Sequence, residues 1–486
     1  MKKKRIAHIL LVVFSAMLLV LSTAVLCAAS SVDTVPDIPA FEGSGTSADP
    51  YRIDCADQLR GIGEAVNAGN TELAGACYLQ TRDLLLDGAY TPIGTAEFPF
   101  TGTYDGGGYR IEHPQLTYDE KPLEIGVFGY AKNAVFRNLT VAANLDARYT
   151  ADNVVSAGLL CGRYCVDTNA IYEISRCAAQ GSLSVSGTRS TIYAGSLIGY
   201  IELTKGKLVL SDCMASVALT SDGYRIAYAG GIAGVVDAQN DSFAGMLRCF
   251  FDGTLSARAS GYYAYAGGIA AYFRQDPSGW LGWYEIAQLA ETTDAPESSA
   301  IAAFNIKECV VGACELAAEG KLGTNIGKIA AYCTTDVKSQ NLCYVAEEPF
   351  TGTQYSLNGE KVSPETLFSK SFLADTLGFD LENTWVNVEG EYLYLANHDS
   401  LLHNVQCASD ESTLVVQPVN CPQGTLISVF YDANDRLTGT TFTAYDPANV
   451  RLHVSVPSNA ATIRIFLWEK NSLKPLARGT LMLSYK

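Results

Sequence analysis

Glycine and apolar residues recur together in a short phrase that appears six times between residues 126 and 331. The copies read GVFGY, AGLLCG, YAGSLIGY, YAGGIAGV, YAGGIAAY and NIGKIAAY, and they start at Gly126, Ala157, Tyr193, Tyr228, Tyr265 and Asn325. Their last small residues are 33, 37, 35, 37 and 60 residues apart, at Gly129, Gly162, Gly199, Gly234, Ala271 and Ala331. A period of about 20 to 50 residues is typical of a stacked array, in which no repeat buries its apolar face alone.

Each repeat has the pattern of short strands separated by turns. The apolar phrase is followed by a more polar stretch, then by a strand that holds a cysteine, and then by a glycine such as Gly181, Gly223 or Gly253. This pattern predicts an all-β fold, and residues 126–271 show no helical periodicity. Coils of such an array stack at about 4.8 Å. The pattern leaves open whether one repeat makes one wide coil or two narrow ones.

The cysteines follow the same period. Three of them come 14 or 15 residues after the last glycine of a phrase, at Cys177, Cys213 and Cys249. Cys309 and Cys343 stand in similar local sequences. Equivalent residues of a stacked array lie above one another, so these five predict an internal column of small apolar side chains. No paired CxxC with histidine partners occurs, so the sequence predicts no metal site and no cofactor.

Both ends of the array carry helix signals. Asp54 is a predicted N-cap for a helix over about 54–67, and Asn70 lies beyond its end. A second helix is predicted from Ser363 as N-cap, within a C-terminal cap over about 363–395 that buries Trp385 against the last coil. Caps of this kind cover the open strand edges at which further pairing would otherwise occur.

The 60-residue step marks an insertion at about 273–300. It holds Trp280, Trp283 and Tyr284 beside glycine, proline and acidic residues. Insertions in stacked arrays map to loops on one flank, and exposed aromatic side chains mark binding sites. We therefore take these three residues as candidate ligand-binding residues; the alternative is that the Trp pair anchors the loop to the flank.

The N-terminus has the order of a secretory signal. Basic residues at Met1–Arg5 precede an apolar run at Ile6–Leu26 and small residues after it. The pattern predicts a signal peptide at 1–29, a linker at 30–42 and a secreted, extracellular protein, either released or associated with the cell surface. The apolar run is also long enough to span a bilayer, so retention as an anchor stays open.

The chain is acidic. Its net charge of −17 becomes −21 when the four basic residues of the signal are removed. Such a surface disfavours nucleic acid and anionic lipid as partners.

Residues 405–486 differ from the repeats. Apolar alternation appears in STLVVQPV, GTLISVFYDA, VRLHVSVP, ATIRIFLWEK and GTLMLSYK. The pattern predicts a small antiparallel β-sandwich, and IRIFLWEKNSLKPL resembles a C-terminal sandwich of clostridial secreted proteins. Cys407 and Cys421 flank one strand, and the sequence leaves open whether they form a disulfide.

The opening module and the repeats carry a family resemblance. DPYRIDCADQL, TPIGTAEFPFTGTYDGGGYRI and the repeated AGGIAG resemble Gram-positive, clostridial-type surface proteins with GLUG repeats. The resemblance covers about 43–396. It implies a right-handed parallel β-helix with an adhesin-like role towards an extracellular glycan or protein ligand. The last two copies depart from the pattern, since Ala271 and Ala331 replace the terminal glycine.

An enzyme is the alternative, because right-handed β-helices include polysaccharide lyases and glycoside hydrolases. Such sites need paired carboxylates or an acidic cluster with a basic residue. Asp105 in YDGGGY and the pair Asp83 and Asp87 are the local candidates, and a structural role explains each of them. HExxH and GxSxG are absent, and charged residues are sparse at equivalent positions of 126–271. We therefore expect a non-enzymatic binding or stalk protein.

Overall fold

The structure, a computed structural model, describes residues 41–482 except 240–241, 276–303, 313, 335–336, 346–352, 368, 382–383, 389–391, 396–400, 408–412, 420–423, 433–435, 446–451, 459, 461 and 470–474. The predicted signal and most of the linker lie outside the described residues. Strands dominate, and helices are short and confined to two segments outside the repeats. The predicted all-β class is therefore confirmed. Among the described residues, no helix is long and apolar enough to cross a membrane.

In the described part of the chain, the repeats contribute their strands to three parallel sheets. Sheet 1 contains the strand that begins each phrase, at Glu124–Ile125, Val154–Ala157, Thr191–Gly195, Ile226–Gly230, Tyr263–Gly267 and Gly323–Gly327. Sheet 2 contains the strand that ends it, at Phe128–Lys132, Cys161–Val166, Ile198–Leu203, Ala233–Ala238, Ala270–Gln275 and Ala330–Cys333.

Sheet 3 is the largest of the three and also takes in the opening module. Its strands are Tyr51–Ile53, Cys77–Gln80, Leu84–Leu85, Thr103–Asp105, Arg110–Asp119, Val135–Tyr149, Ile171–Gly187, Lys207–Ser211, Met214–Gly223, Phe243–Leu247, Phe250–Phe251, Thr254–Ala259, Ile306–Lys307, Val310–Val311, Glu315–Gly320, Ser339–Gln340, Cys343–Val345 and Glu360–Val362.

Each repeat passes once through the three sheets. The chain runs from Thr191–Gly195 in sheet 1 to Ile198–Leu203 in sheet 2, and then through sheet 3 before it returns to sheet 1 at Ile226–Gly230. Tyr193 therefore pairs in parallel register with Tyr228, the same position one repeat later. One passage per repeat answers the question that the sequence pattern left open.

Four of the five cysteines form the predicted internal column. Cys177, Cys213, Cys249 and Cys309 are fully buried. The Cys213 thiol lies 3.5 Å from the Ile174 carbonyl oxygen of the preceding repeat, and the thiols of Cys249 and Cys309 make equivalent contacts at 3.7 and 3.6 Å. Stacked, apolar-like thiols thus fill the interior.

The prediction for Cys343 is wrong. Its backbone pairs with Val310, the residue after Cys309, so Cys343 lies one position further along the strand. Successive side chains of a strand point to opposite faces, so Cys343 faces outward. Leu342, and not Cys343, takes the next place in the internal column after Cys309. Outward apolar residues continue this second column in register, at Ala178, Met214, Phe250, Val310 and Cys343.

A corner with left-handed backbone precedes each residue of the internal column. Its residues have φ between 48° and 55°, at Asn138, Arg176, Asp212, Arg248, Glu308 and Asn341. Side chains other than glycine and asparagine are uncommon in this conformation. Within residues 126–271 this corner holds the charged residues Arg176, Asp212 and Arg248. The expectation that charged residues are sparse at equivalent positions is wrong here.

The opening helix, α1, spans Ala56–Asn67. Leu59, Ile62 and Val66 are buried, as their spacing predicts. The N-cap is Cys55 rather than Asp54, and the Asp54 backbone N–H donates instead to Oε1 of Gln58 at 2.8 Å.

A short second helix, α2, spans Thr71–Gly75 and follows α1 directly. Asn70 starts this helix, because its side chain accepts a hydrogen bond from the Leu73 N–H at 3.0 Å. The residue that ends the predicted first helix is thus also the cap of the next one.

Residues 363–395, which we call the strap, contain helix α3 at Pro364–Leu367 and a π-helix at Phe372–Thr376. Ser363 caps α3 by accepting from the Thr366 N–H at 3.2 Å. The strap then forms an antiparallel hairpin of Trp385–Val388 and Tyr392–Leu395.

Trp385 is 1 % exposed, so its predicted burial is confirmed. Its indole N–H donates to Oδ1 of Asp212 at 2.9 Å, which places it beside the middle of the array rather than against the last repeat. The reason is the outward apolar column of sheet 3, on which the buried side chains of the strap pack, at Leu367, Leu373, Leu377, Phe379, Trp385, Leu393 and Leu395.

The described C-terminal strands are antiparallel and form two sheets. One contains Leu401–Cys407, Thr413–Val419 and Leu452–Ser455, and the other contains Gly424–Tyr431, Leu437–Tyr445, Thr462–Glu469 and Pro475–Met482. Leu426, Phe430 and Val454 are among the buried side chains. Cys421 lies outside the described residues, so the question whether it pairs with Cys407 stays open.

Candidate binding face

The predicted ligand-binding residues Trp280, Trp283 and Tyr284 lie outside the described residues. The two ends of their insertion are described, at Gln275 and Asn305, and both side chains are buried. Nδ2 of Asn305 donates to Oε1 of Gln275 at 3.0 Å. This amide pair joins the ends of the insertion, and the role of the three aromatic residues stays a prediction.

A surface other than the insertion is formed by the residues at the two ends of each phrase. The tyrosine that opens the phrase pairs in register along sheet 1, which gives a column of Glu124, Ser156, Tyr193, Tyr228, Tyr265 and Asn325 when the equivalent residues of the other repeats are included. The residue that follows the last small residue of the phrase pairs along sheet 2, which gives a column of Tyr130, Arg163, Tyr200, Val235, Tyr272 and Tyr332. We call these two columns together the tyrosine face.

Alternation along the strands places both columns on the outside. Ala194 and Ile201, which directly follow Tyr193 and Tyr200, are fully buried, whereas the two tyrosines are half-buried. Apolar residues next to these tyrosines fill the interior, and the tyrosines then point the other way.

Glycine brings the two columns together. A Cβ atom on Gly195 would lie 2.0 Å from the Ile198 carbonyl oxygen, and one on Gly199 would lie 2.4 Å from the Ala157 backbone nitrogen. Neither position has room for a side chain, so the strands of the phrase approach at backbone contact. The rings of Tyr193 and Tyr200 consequently lie only 5.0 Å apart.

The rings form a herringbone. Tyr228 stacks on Tyr265 at 4.8 Å and 14°, and Tyr272 stacks on Tyr332 at 4.8 Å and 1°. Tyr265 stands at 87° to Tyr272 and at 86° to Tyr332. The surface therefore presents rings in two nearly perpendicular orientations. Each ring pair contributes about 0.5 to 1.5 kcal/mol to the stability of the folded protein beyond the effect of its buried area.

An arginine replaces one tyrosine of the sheet 2 column. The Arg163 guanidinium lies 5.4 Å from the Tyr130 ring and 5.1 Å from the Tyr200 ring, within cation–π range. It also donates to Oε2 of Glu202 at 2.6 Å. Burial works against its charge, but the bond to Glu202 raises the pKa of Arg163 above its ordinary value.

A second ion pair lies beside the column. Arg274 donates through Nε and Nη2 to both oxygens of Asp237, with the Nη2 contact at 2.8 Å. The same carboxylate accepts from Nε2 of Gln239 at 3.0 Å and from the Tyr200 hydroxyl at 3.4 Å. The hydrogen bond to Asp237 raises the pKa of Arg274, so the arginine stays charged. We call such an ion pair closed, because its carboxylate and its guanidinium already bond to each other.

Phenol groups are the polar atoms that the tyrosine face leaves available. Within the described residues, several of its hydroxyls have no protein hydrogen bond, those of Tyr193, Tyr228, Tyr265, Tyr272 and Tyr332. Burial raises the pKa of Tyr228, Tyr265 and Tyr272. The hydroxyls of these three residues therefore remain protonated near neutral pH, as both donors and acceptors.

Another charged cluster is buried beneath the strap. Arg248 donates to both oxygens of Asp212 at 2.8 Å, and its Nη1 lies 4.0 Å from Glu308. Lys307 reaches the other oxygen of Glu308 at 3.1 Å. Asp212, Arg248 and Glu308 are each less than a tenth exposed, so this ladder supports the corner rather than presenting groups to a ligand.

The local catalytic candidate Asp105 is held in a turn. Oδ1 accepts from the Gly107 N–H and from Nδ2 of Asn138, both at 2.9 Å, and Oδ2 accepts from Arg137 at 2.7 Å. Asp83 accepts from the Arg110 N–H at 3.0 Å. These bonds match the structural role that the sequence also allowed for Asp105 and Asp83.

These clusters of described residues form neither a metal centre nor a pair of carboxylates placed for catalysis. Among the residues that the structure describes, no group of three or more His, Cys, Asp or Glu side chains is placed to hold a metal ion. Every cysteine whose side chain is described is a free thiol. The tyrosine face is thus the surface on which several available polar groups and rings converge.

Sequence reasoning missed this face although its signal is visible. Tyrosine stands at both ends of YAGSLIGY and YAGGIAAY, seven residues apart. The spacing alone does not show that the chain bends between them. Comparison of the chain with family models and with curated proteins finds no match. The residues of the tyrosine face are therefore the features of this chain that bear on its function.

Proposed function

We propose that this chain is a secreted or cell-surface, non-enzymatic protein with an adhesin-like role, and that its tyrosine face binds a glycan. The observation that carries the proposal is the pair of converging tyrosine columns with available phenol groups. Pyranose rings present C–H groups on their faces and hydroxyls at their rims. Aromatic rings beside hydrogen-bond donors and acceptors complement both features.

The fold that we propose is a right-handed parallel β-helix followed by a β-sandwich. Parallel register between successive repeats supports the helix, and parallel crossover connections are right-handed in about 98 % of cases. The two antiparallel sheets near the C-terminus support the sandwich. The resemblance to GLUG-repeat surface proteins agrees with this architecture but carries an analogy only.

Secretion follows from the N-terminal pattern at 1–29. Free buried thiols fit a low-oxygen or reducing habitat, in which they are not driven to disulfides. Mass spectrometry of the native protein tests the proposal. A mature N-terminus near Ala29–Val32 supports cleavage, whereas an intact Met1 supports retention as an anchor.

The glycan proposal is tested on a glycan array with the mature chain. We expect Tyr272→Ala with Tyr332→Ala to abolish the signal, because this change removes the stacked pair and two hydroxyls. The matched control is Tyr262→Ala, which removes a 45 % exposed tyrosine outside the two columns. Loss of signal in the control as well, or an unchanged signal in the double variant, would refute the assignment to the tyrosine face.

The predicted residues of the insertion offer a second binding position within the same function. Trp280→Ala with Trp283→Ala, which leaves Tyr284 in place, is measured on the same array. If only this variant loses the signal while its circular dichroism spectrum is unchanged, the insertion and not the tyrosine face holds the ligand.

A carbohydrate-active enzyme is the second candidate, and one observation favours it. Burial raises the pKa of Glu124, which begins the sheet 1 column, and a raised pKa is what a general acid needs. Release of reducing-end or unsaturated products from polysaccharides by the wild type, lost in Glu124→Gln, would establish this activity. It would overturn the non-enzymatic proposal.

A further inference from the structure

We infer that the ligand of the tyrosine face is an uncharged glycan chain that lies along the stacking direction of the repeats. The inference rests on the proposed function, which it narrows to one class of glycan. Three features of the face carry it: the closed ion pairs, the available phenols and the direction of the columns.

The closed ion pairs argue against an acidic glycan. Recognition of a uronate or sulfate requires a cation whose N–H groups are free to pair with the anion. On this face Arg274 is held by both oxygens of Asp237. Arg163 donates through Nη2 to Glu202, and its Nε–H, which has no partner among the described residues, is buried away from a ligand. Lys132, at the edge, lies 2.5 Å from Asp167. An incoming anion would meet carboxylates that are already paired, and it would gain little from the arginines.

The available phenols argue for a ligand rich in hydroxyls. The hydroxyls of Tyr228, Tyr265, Tyr272 and Tyr332 have no protein partner within the described residues. A protonated phenol both donates and accepts, and a sugar hydroxyl does the same. The two groups can therefore pair in either direction without any transfer of charge.

The columns argue for an extended chain. Equivalent rings of adjacent repeats are 4.8 Å apart for Tyr228 and Tyr265 and also for Tyr272 and Tyr332. Tyr355 continues the row at 4.9 Å from Tyr332. A linear oligosaccharide along this direction therefore meets successive rings at Tyr193, Tyr228 and Tyr265 in one column and at Tyr272, Tyr332 and Tyr355 in the other.

The test is isothermal titration of the mature chain with neutral hexasaccharides of glucose, mannose, xylose and N-acetylglucosamine, and with hexagalacturonate. We expect binding to at least one neutral oligomer and none to hexagalacturonate. The neutral affinity should change by less than about twofold between roughly 0.05 and 1 M salt, because no ion pair forms with the ligand.

Two variants sharpen the test. Tyr272→Phe with Tyr332→Phe keeps both rings and removes two hydroxyls, so we expect about a tenfold loss of neutral binding. Asp237→Asn frees the Arg274 guanidinium, so we expect hexagalacturonate binding to appear. Tyr262→Phe is the matched control and should leave the affinity unchanged.

The outcomes separate the two proposals. Binding of hexagalacturonate alone by the wild type, with an affinity that falls more than about tenfold over this salt range, would overturn the uncharged ligand and leave the glycan function standing. Failure of every oligomer to bind would overturn the glycan function itself. An unchanged affinity in the Tyr272→Phe, Tyr332→Phe variant would show that the phenols do not contact the ligand.

Discussion

The outward side of sheet 3 and the tyrosine face are two surfaces of the same repeat array, and only one of them is covered. Sheet 3 presents Met214, Phe250 and Val310, and the strap buries all three. The tyrosine face presents residues such as Tyr228 and Tyr272, which are half-buried and have no strap over them among the described residues. Aliphatic columns require a cover, whereas tyrosine has an apolar body with a polar tip and tolerates an interface with water.

Their charges differ in the same way. The ladder of Asp212, Arg248 and Glu308 is buried under the strap, where the loss of one member is expensive. The pairs of the tyrosine face remain partly exposed, as with Arg274, whose side chain is 42 % exposed. One side is therefore expected to govern stability and the other to govern binding.

The largest expected effect is on the covered side. Asp212→Ala removes the carboxylate that accepts from Arg248 and Trp385, and we expect a loss of about 3 to 5 kcal/mol in the free energy of unfolding. Urea denaturation measures it. Asp222→Ala, half-exposed and on an outer strand position, is the control and should change stability by less than about 0.5 kcal/mol. Equal losses in both variants would contradict the role of the buried ladder.

Loosening the strap should distinguish the internal cysteine column from the outward apolar column, which contains Cys343. Trp385→Ala deletes a buried ring, which costs about 3 kcal/mol or more and favours local opening of the strap. Cys343 is 2 % exposed beneath it, and burial raises its pKa to about 12. We expect iodoacetamide to label Cys343 about a hundredfold faster in the variant, while Cys309 stays protected. Peptide mapping identifies the labelled thiol, and equal acceleration at both would place them in one column.

A smaller effect is expected where glycine shapes the tyrosine face. A Cβ atom at Gly230 would lie 1.8 Å from the Ala233 carbonyl oxygen. Gly230→Ala should therefore push the two strands of the phrase apart and cost about 1 to 3 kcal/mol. At Gly75 in α2 the nearest atom to an added Cβ is 3.6 Å away, so Gly75→Ala should not destabilise. Thermal unfolding compares the variants, and a neutral Gly230→Ala would show that the strands have room to separate.

The smallest expected effect is the alkaline behaviour of the open face. Burial raises the pKa of Tyr228, so the folded protein keeps a proton that the unfolded chain loses above pH of about 10. This contribution to stability is complete below that pH and falls as the pH rises further. Tyr228→Phe should consequently lose less stability than the wild type between pH 9 and 11 in urea denaturation. Identical losses would indicate that the Tyr228 phenol is well solvated.

Much of the repeat region could be predicted, because its rules are local. The recurring phrase indicated parallel stacking, and the spacing of Cys177, Cys213 and Cys249 indicated a buried column. The prediction failed at Cys343 because the corner falls at Asn341, which puts Leu342 next along the strand. A shift of one residue exchanges the two faces of a strand, and sequence spacing has an uncertainty of that size.

The binding site was less predictable than the fold. Trp280, Trp283 and Tyr284 were chosen because the period breaks there, and the described residues neither support nor oppose them. The tyrosines of the face were visible in the sequence, but they form a candidate binding site only because the ring of Tyr193 contacts that of Tyr200 and the ring of Tyr265 contacts that of Tyr272. These ring contacts depend on a bend of the chain within the phrase and on the position of the next repeat. No local sequence pattern specifies either of them.

The sequence by itself determined the period of the array, the alternation of inward and outward side chains and the glycines at the phrase. These follow from short-range sterics and from the two-residue period of a strand. The tertiary structure alone decided which outward column is covered. The strap reaches Asp212 from Trp385, 173 residues further along the chain, and a contact at that distance is selected by the apolar area it buries rather than by any local preference.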